Sequence, residues 1–285
     1  MLLTVTAERY ALPLREGGSL PAVVETGGPG GGPGGRFAVK FLGAGQGARA
    51  LVAELIVGQI ARRLGLPVPD VALVEVGEGF GRAEPDPEIQ DILKGSVGPN
   101  VGLRFLDGAL PYDPVAAADL VAPGLAADVV WLDAFVTNID RTPRNPNLLL
   151  AGHPPALWLI DHGAALYFHH DWPTVDEARA RTPFPAIREH VLLPRASSIE
   201  EADARLAPRL SADVLAGIVA AVPDALLMHA PPGLSPPFPS ADGNRAAYRI
   251  YFEARLAAPR AWAVEAERAR LARLAERPRP LDYRR

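Results

Sequence analysis

The chain of 285 residues contains no cysteine, which excludes disulfides, thiolate zinc sites and cysteine nucleophiles. Lysine is nearly absent too. Of 29 basic residues only Lys40 and Lys94 are lysines, so each merits inspection, while the bias towards arginine reads as a compositional habit. Positive charge is not in excess: the formal net charge is -4, and nothing in the sequence would attract a polyanion. Direct nucleic-acid binding is therefore not expected. No stretch approaches the ~18 uninterrupted apolar residues of a membrane span. The opening "MLLTVTAERYALPL" carries Glu8 and lacks the basic start and long apolar run of a signal peptide, so the expected location is the cytoplasm.

What is present suits a folded protein. Hydrophobic residues make up 48% and charged residues 22%, enough apolar material for a sizeable core in one large domain or in two lobes sharing a site. "LTVTAERYALPL", "PAVVET" and "RFAVKFL" read as three strands joined by turn-rich connections, an antiparallel meander. Residues 48–64, "ARALVAELIVGQIARRL", read as a helix stopped by Gly65. "PVPDVALVEV" and "VGLRFL" restore strand character on either side of a polar segment with a short central helix, "PEIQDIL". From "DPVAAADLVAPGLAADVVWLDAFVTN" onward the pattern is mainly helical, ending in the charged helix "AVEAERARLARLAER" with Leu271 and Leu274 on one side. The composition shift around residues 107–114 divides the chain into a β-rich region, 1–110, and a helical region, 111–285. The expected class is α+β.

Five polar residues in a fixed order carry the chemistry. Lys40 lies inside the apolar strand "FAVKF", and Glu54 follows fourteen residues later on the helix. Asp140 and Asn145 form D-x-x-x-x-N within "VTNIDRTPRNPNLLL", and Asp161 opens "DHG" after the apolar strand "LWLI". In phosphoryl transfer a strand lysine pairs with nucleotide phosphates and a helix glutamate holds that lysine. A loop aspartate orients or deprotonates the attacking hydroxyl, and an asparagine with a second aspartate supplies hard oxygen ligands for Mg²⁺. Taken singly each feature is weak, because a lysine alternating in a strand usually faces solvent. Glu54, however, falls on the side of Ala50, Gly58 and Ala61, where small residues admit a strand or ligand.

Together "AVKF", "AEL", "TNIDRTPRNPNLLL" and "LWLIDHGAAL" resemble the HipA-like branch of the protein-kinase-like superfamily, from about residue 10 to about residue 230. The run D-R-x-x-x-N followed by D-H-G is also similar to the phosphoinositide 3- and 4-kinases. The resemblance implies a bilobal kinase fold, a small β-rich N-lobe with one helix and a larger helical C-lobe, with ATP in the cleft. It makes Lys40 the phosphate-pairing lysine, Glu54 its partner, Asp140 the catalytic aspartate, and Asn145 and Asp161 the Mg²⁺ ligands. The sequence departs from ordinary protein kinases: Asn138-Ile139-Asp140 stands in place of His-Arg-Asp, Thr142 stands where Ser/Thr kinases usually have a lysine, His162 replaces the phenylalanine of Asp-Phe-Gly, and no Ala-Pro-Glu motif follows.

Two glycine-rich segments compete to cover the phosphates. "GGPGGGPGG", Gly27 to Gly35, directly precedes the Lys40 strand, whereas in this fold the phosphates lie under the loop between the first two strands. That loop is "EGGS", so Gly17, Gly18 and Ser19 are the expected phosphate-binding backbone. His169 and His170 would point to opposite faces of a strand and find no third ligand at useful spacing, so a structural or surface role is expected for both.

The leading expectation is a HipA-like kinase moving the ATP γ-phosphate to a hydroxyl, protein Ser/Thr first, with a protein substrate or antitoxin-like partner implied by the resemblance. A lipid or small-molecule kinase is the enzymatic alternative. A nucleotide-binding pseudokinase used as an interaction module is the non-enzymatic one.

Overall fold

The computed structural model describes residues 2–14, 20–28, 34–231 and 233–276. The β-rich N-terminal part contains β1 (Leu3–Pro13), β2 (Ala22–Gly27), β3 (Arg36–Lys40), β4 (Val71–Val76) and β5 (Gly98–Arg104), with α1 (Gly47–Leu64) and α2 (Pro87–Lys94) inserted between them. The expected meander is present, since β1 pairs antiparallel with β2 and β2 with β3. The meander does not stay open, however. The strands close into a barrel in the order β1-β2-β3-β5-β4, sealed by a parallel pairing of Leu3–Thr6 with Ala72–Glu75. Closure removes both sheet edges. Val5, Val24, Phe37, Val39, Ala72 and Val74 fill the interior, and Ile89 and Leu93 of α2 pack onto the same cluster. The short helix expected at "PEIQDIL" is α2, begun by Asp86, whose side chain accepts from the Glu88 N–H at 3.0 Å.

Helix α1 is the central element. Gly65 ends it with φ 79°, in the left-handed region that glycine enters freely, and its N–H returns to the carbonyls of Ala61 and Arg62. Thirteen of its residues are buried, including Glu54. Gly58 lets β4 approach: a Cβ there would lie 2.8 Å from Val71 Cγ2. Gly58→Val is therefore expected to cost about 1–3 kcal/mol by overpacking. Urea unfolding measures this, and a midpoint no lower than the parent's would mean that β4 shifts to make room.

The remainder is mainly helical: α3 (Pro123–Phe135), α4 (Glu177–Ala180), α5 (Ile199–Leu206), α6 (Ala212–Ala220), α7 (Asp224–Leu227), α8 (Ala241–Leu256) and α9 (Ala261–Ala275). Ser198, Ser211 and Ser240 cap α5, α6 and α8 through their side chains. Helix α3 is buried almost all round; its Trp131 and Phe135 stack on each other, and Trp262 of α9 meets Trp131 edge-on and Phe135 at a tilt. On α9 the packing face is Trp262, Ala263, Ala266 and Ala269, while Leu271 and Leu274 remain exposed. A small sheet of β6 (Leu110–Pro111), β7 (Leu148–Ala151) and β8 (Ala156–Leu159) lies between, and the Leu159 N–H donates to the Pro67 carbonyl at 2.8 Å, joining it to the chain leaving α1. Among the described residues no helix is long and apolar enough to cross a membrane.

Candidate active site

Lys40 ends β3 with its neighbours Val39 and Phe41 inside the barrel and its own side chain turned towards α1. It is buried, not solvent-facing. Its Nζ donates to Glu54 Oε2 at 2.7 Å and to Asp161 Oδ1 at 2.5 Å. Residues separated by 14 and 121 positions thus meet on one ammonium group. Glu54 Oε2 also accepts from the His162 N–H at 2.9 Å, which ties the D-H-G segment to α1. Gly163 keeps the junction tight, because a Cβ there would lie 3.2 Å from Lys40 Nζ and 3.5 Å from Ala50 Cβ. Asp161 itself holds φ 53°, a left-handed conformation sparsely used by non-glycine residues.

The electrostatics follow from that packing. Burial alone would lower the Lys40 pKa, but the carboxylates of Glu54 and Asp161 outweigh it and hold the ammonium above its ordinary value. Burial would raise Asp161, but Lys40 and the Gly163 N–H outweigh it and hold the carboxyl below its ordinary value. Both directions agree on a charged cluster at neutral pH.

Asp140 sits in a loop that spends its amides on it. Asn145 Nδ2 donates to Asp140 Oδ2 at 2.7 Å and Asn147 Nδ2 to the same oxygen at 3.2 Å. Asn138 Oδ1 accepts from the Asp140 N–H at 3.1 Å. The loop closes on itself through Thr142 N–H to Asn145 O and Asn145 N–H to Thr142 O, each 3.1 Å. Both D-x-x-x-x-N and D-H-G emerge at the same end of the β7–β8 hairpin. Leu148 is paired with Leu159, and the Ile160 N–H extends the ladder to Asn147 O at 3.1 Å, one residue before Asp161. Of the expected site residues, Lys40, Glu54 and Asp161 are in direct contact, and Asp140 and Asn145 form a second contact pair on the adjoining loop. Gly17, Gly18 and Ser19 lie outside the described residues, as do residues 29–33 of the longer glycine run. A cavity of about 580 Å³ beside the loop after β3, walled by Gly43, Ala44, Glu88 and Asp91, includes none of the five polar residues.

A second, fully buried cluster was not anticipated. Asp133 of α3 accepts from Arg141 Nε at 2.5 Å, His190 Nε2 at 2.9 Å and Asn138 Nδ2 at 3.0 Å. Burial would raise Asp133, yet Arg141 and His190 hold it well below its ordinary value. Its signals in the sequence were a lone acid inside the apolar run "VVWLDAF" and the arginine beside Asp140. His169 and His170 correct another expectation. They lie in a 3₁₀ segment, Tyr167–Thr174, not a strand; His169 is buried against the Tyr248 hydroxyl at 2.8 Å, and His170 is exposed. The structural role expected of His169 holds for that different reason. Among the described residues no three of His, Cys, Asp and Glu converge as a metal site.

A family model described as HipA-like kinase matches residues 31–181, which span the Lys40 strand, α1, the Asp140 loop and D-H-G. The chain belongs to the HipA-like kinase family. The fold of this HipA-like kinase is similar to that of the Helicobacter pylori proinflammatory kinase CtkA, with a TM-score of 0.54 over 95% of this chain and 99% of that one, at 13% sequence identity. No curated protein sequence matches this HipA-like kinase.

The buried histidines make the stability of the HipA-like kinase depend on pH. Burial lowers His162 to about 4, and burial also lowers His169 and His190. The unfolded histidine titrates near ~6.5. The unfolded chain therefore takes up protons first on acidification. His162's contribution is complete above pH ~6.5 and is lost as pH falls towards 4, about 3 kcal/mol in all. Thermal unfolding from pH 8 to 4.5 should show this decline, with His162→Gln falling less steeply. A variant curve parallel to the parent's would assign the loss to other groups.

Proposed function

We propose that this HipA-like kinase transfers the γ-phosphate of ATP to a hydroxyl group, with a protein serine or threonine as acceptor. The carrying observation is Lys40 Nζ, bonded at 2.7 and 2.5 Å to Glu54 and Asp161 beside an Asp140 loop preset by Asn145 and Asn147. In this reading residues 1–110 form the N-lobe, residues 111–285 the C-lobe, and ATP lies between them. Lys40 pairs with the phosphates and Glu54 holds Lys40. The acceptor oxygen attacks the γ-phosphorus, the bond from that phosphorus to the bridging oxygen of ADP breaks, and Asp140 takes the acceptor's proton.

Magnesium needs hard oxygen donors and usually keeps one or two carboxylates together with substrate phosphates. Asp161 and Asn145 fit that demand. Lys40 and the Gly163 N–H both bond Oδ1 of Asp161, and Asn145 bonds Asp140 through its nitrogen and not its oxygen. Mg²⁺ bound there would neutralise charge on the transferring phosphate. Arg141 of D-R-x-x-x-N is buried and bonded to Asp133 and backbone carbonyls, so it is not itself available to an acceptor headgroup. The assembled polar set also argues for an enzyme over an interaction module. Incubation with Mg-ATP, followed by measurement of ADP release and mass spectrometry of the protein and candidate acceptors, tests the proposal. Nucleotide binding, read by calorimetry, with neither ADP release nor a phosphorylated acceptor would favour the nucleotide-binding module.

A further inference from the structure

Asp133 is more than a buried charge. We propose that it is a positioning residue for the phosphoryl transfer, setting Asp140 through Asn138 and Asp161 through Arg141; this rests on the kinase reading above.

Its two oxygens serve two routes. On the first, Oδ1 accepts from Asn138 Nδ2 at 3.0 Å, and Asn138 Oδ1 accepts from the backbone N–H of Asp140 at 3.1 Å. On the second, Oδ2 accepts from Arg141 Nε at 2.5 Å. The same guanidinium reaches the Asn147 carbonyl at 2.5 Å, the Ile160 carbonyl at 3.3 Å and His162 Nδ1 at 3.3 Å. Arg141 thereby touches both neighbours of Asp161 and the residue whose amide holds Asp140. His190 steadies Oδ2: its Nδ1 accepts from the Leu192 N–H at 3.1 Å, which leaves Nε2–H to donate to Asp133 at 2.9 Å. The Val191 N–H closes the cluster on the Arg141 carbonyl at 3.0 Å.

Stability alone is a poor reason for this arrangement. Both side chains of the Asp133–Arg141 pair are fully buried, and such a pair is often no more stabilising than apolar residues of the same size. What the pair supplies is direction. A planar guanidinium with fixed donor angles relates Asn147 and Ile160 at one end of the β7–β8 hairpin; Asp161 follows Ile160 directly, and the Asn147 amide bonds Asp140. Support of this kind typically alters activity or metal affinity by ~10–100-fold when removed.

The two routes can be cut separately. Asn138→Ala removes the first. Arg141→Lys keeps a cation opposite Asp133 but loses the planar fork to Asn147, Ile160 and His162. Hydrogen exchange of the nucleotide-free protein is measured first, by mass spectrometry. Asn138→Ala should speed exchange within 139–145 only, and Arg141→Lys within 145–148 and 160–163, with β3 and α3 still protected. Steady-state kinetics follow, well below each variant's Tm. Asn138→Ala should lower kcat ~10–100-fold with KM for ATP within a few-fold, whereas Arg141→Lys should raise the Mg²⁺ needed for half-maximal turnover ~10-fold or more. Should Asn138→Ala fail to fold, Asn138→Ser with the same readouts replaces it. Exchange that rises throughout the chain or in neither segment overturns the proposal. So does local exchange with unaltered kinetics, or activity lost only in step with Tm. A parent protein that neither binds nor turns over ATP refutes the kinase reading instead, while the exchange arms still report whether Asp133 holds the two loops.

Discussion

Asp140→Asn should leave Mg-ATP binding within a few-fold of the parent and reduce phosphate transfer by roughly 10²–10⁴-fold. The substitution is nearly isosteric, and an amide oxygen can still accept from Asn145 and Asn147, which both bond Oδ2 of Asp140. The loop should keep its shape. What is lost is an oxygen able to take the acceptor's proton. Asp161→Asn should behave differently. It removes negative charge from the proposed ion site and from Lys40, to which Asp161 is bonded at 2.5 Å, so nucleotide binding and turnover should fall together in the presence of Mg²⁺. Calorimetric titration with a non-hydrolysable ATP analogue, with and without Mg²⁺, distinguishes the two. Equal binding losses in both variants would end this division of labour, and full turnover in either would remove that residue from the chemistry.

Lys40→Ala should abolish nearly all turnover and also weaken the fold. Lys40 lies between two carboxylates, and the Glu54 side chain is 1% exposed. Without the lysine, Glu54 retains only the His162 N–H on Oε2. Breaking a buried pair on one side costs about 3–5 kcal/mol, because the remaining charge is left without compensation. The shared Asp161, whose side chain is 36% exposed, places this case at the lower end of that range. Denaturant unfolding reads the stability and ADP release reads the activity. Lys40→Met, which keeps apolar bulk on the strand, should lose turnover to the same degree. If either variant retains parental turnover, Lys40 is structural only.

Much of this arrangement was legible because it is local. Lys40 could be placed on a strand and Glu54 on a helix from alternation and helical periodicity, and Gly65 marked the end of α1 as a left-handed cap. The order of Asp140, Asn145 and Asp161 was visible for the same reason. The closed barrel was not, because the parallel pairing of β1 with β4 joins segments more than sixty residues apart and leaves no periodic trace in either. The turn holding His169 was hidden behind Leu166, an apolar residue at φ 56° where propensity would not place one. Asp133 was concealed in another way. A single charge in an apolar helix is a signal without visible partners until Asn138 and Arg141 arrive from the following loop and His190 from a distant segment to neutralise and bond it.

Helix α1 carries an evolutionary consequence. Leu51, Leu55 and Ile56 belong to one contiguous core that runs from Val71 and Val101 in the barrel strands to Val219 and Leu226 in the helical part, and α1 touches α6 and α7 directly. The composition shift near residue 110 is therefore a boundary in style, not a seam where the molecule comes apart. A barrel borrowed from another lineage would have to arrive with a matching helix surface, or α6 and α7 would lose the wall they fold against. A change at a buried α1 position such as Leu51, Leu55 or Ile56 is therefore felt by the barrel and by the helical part together.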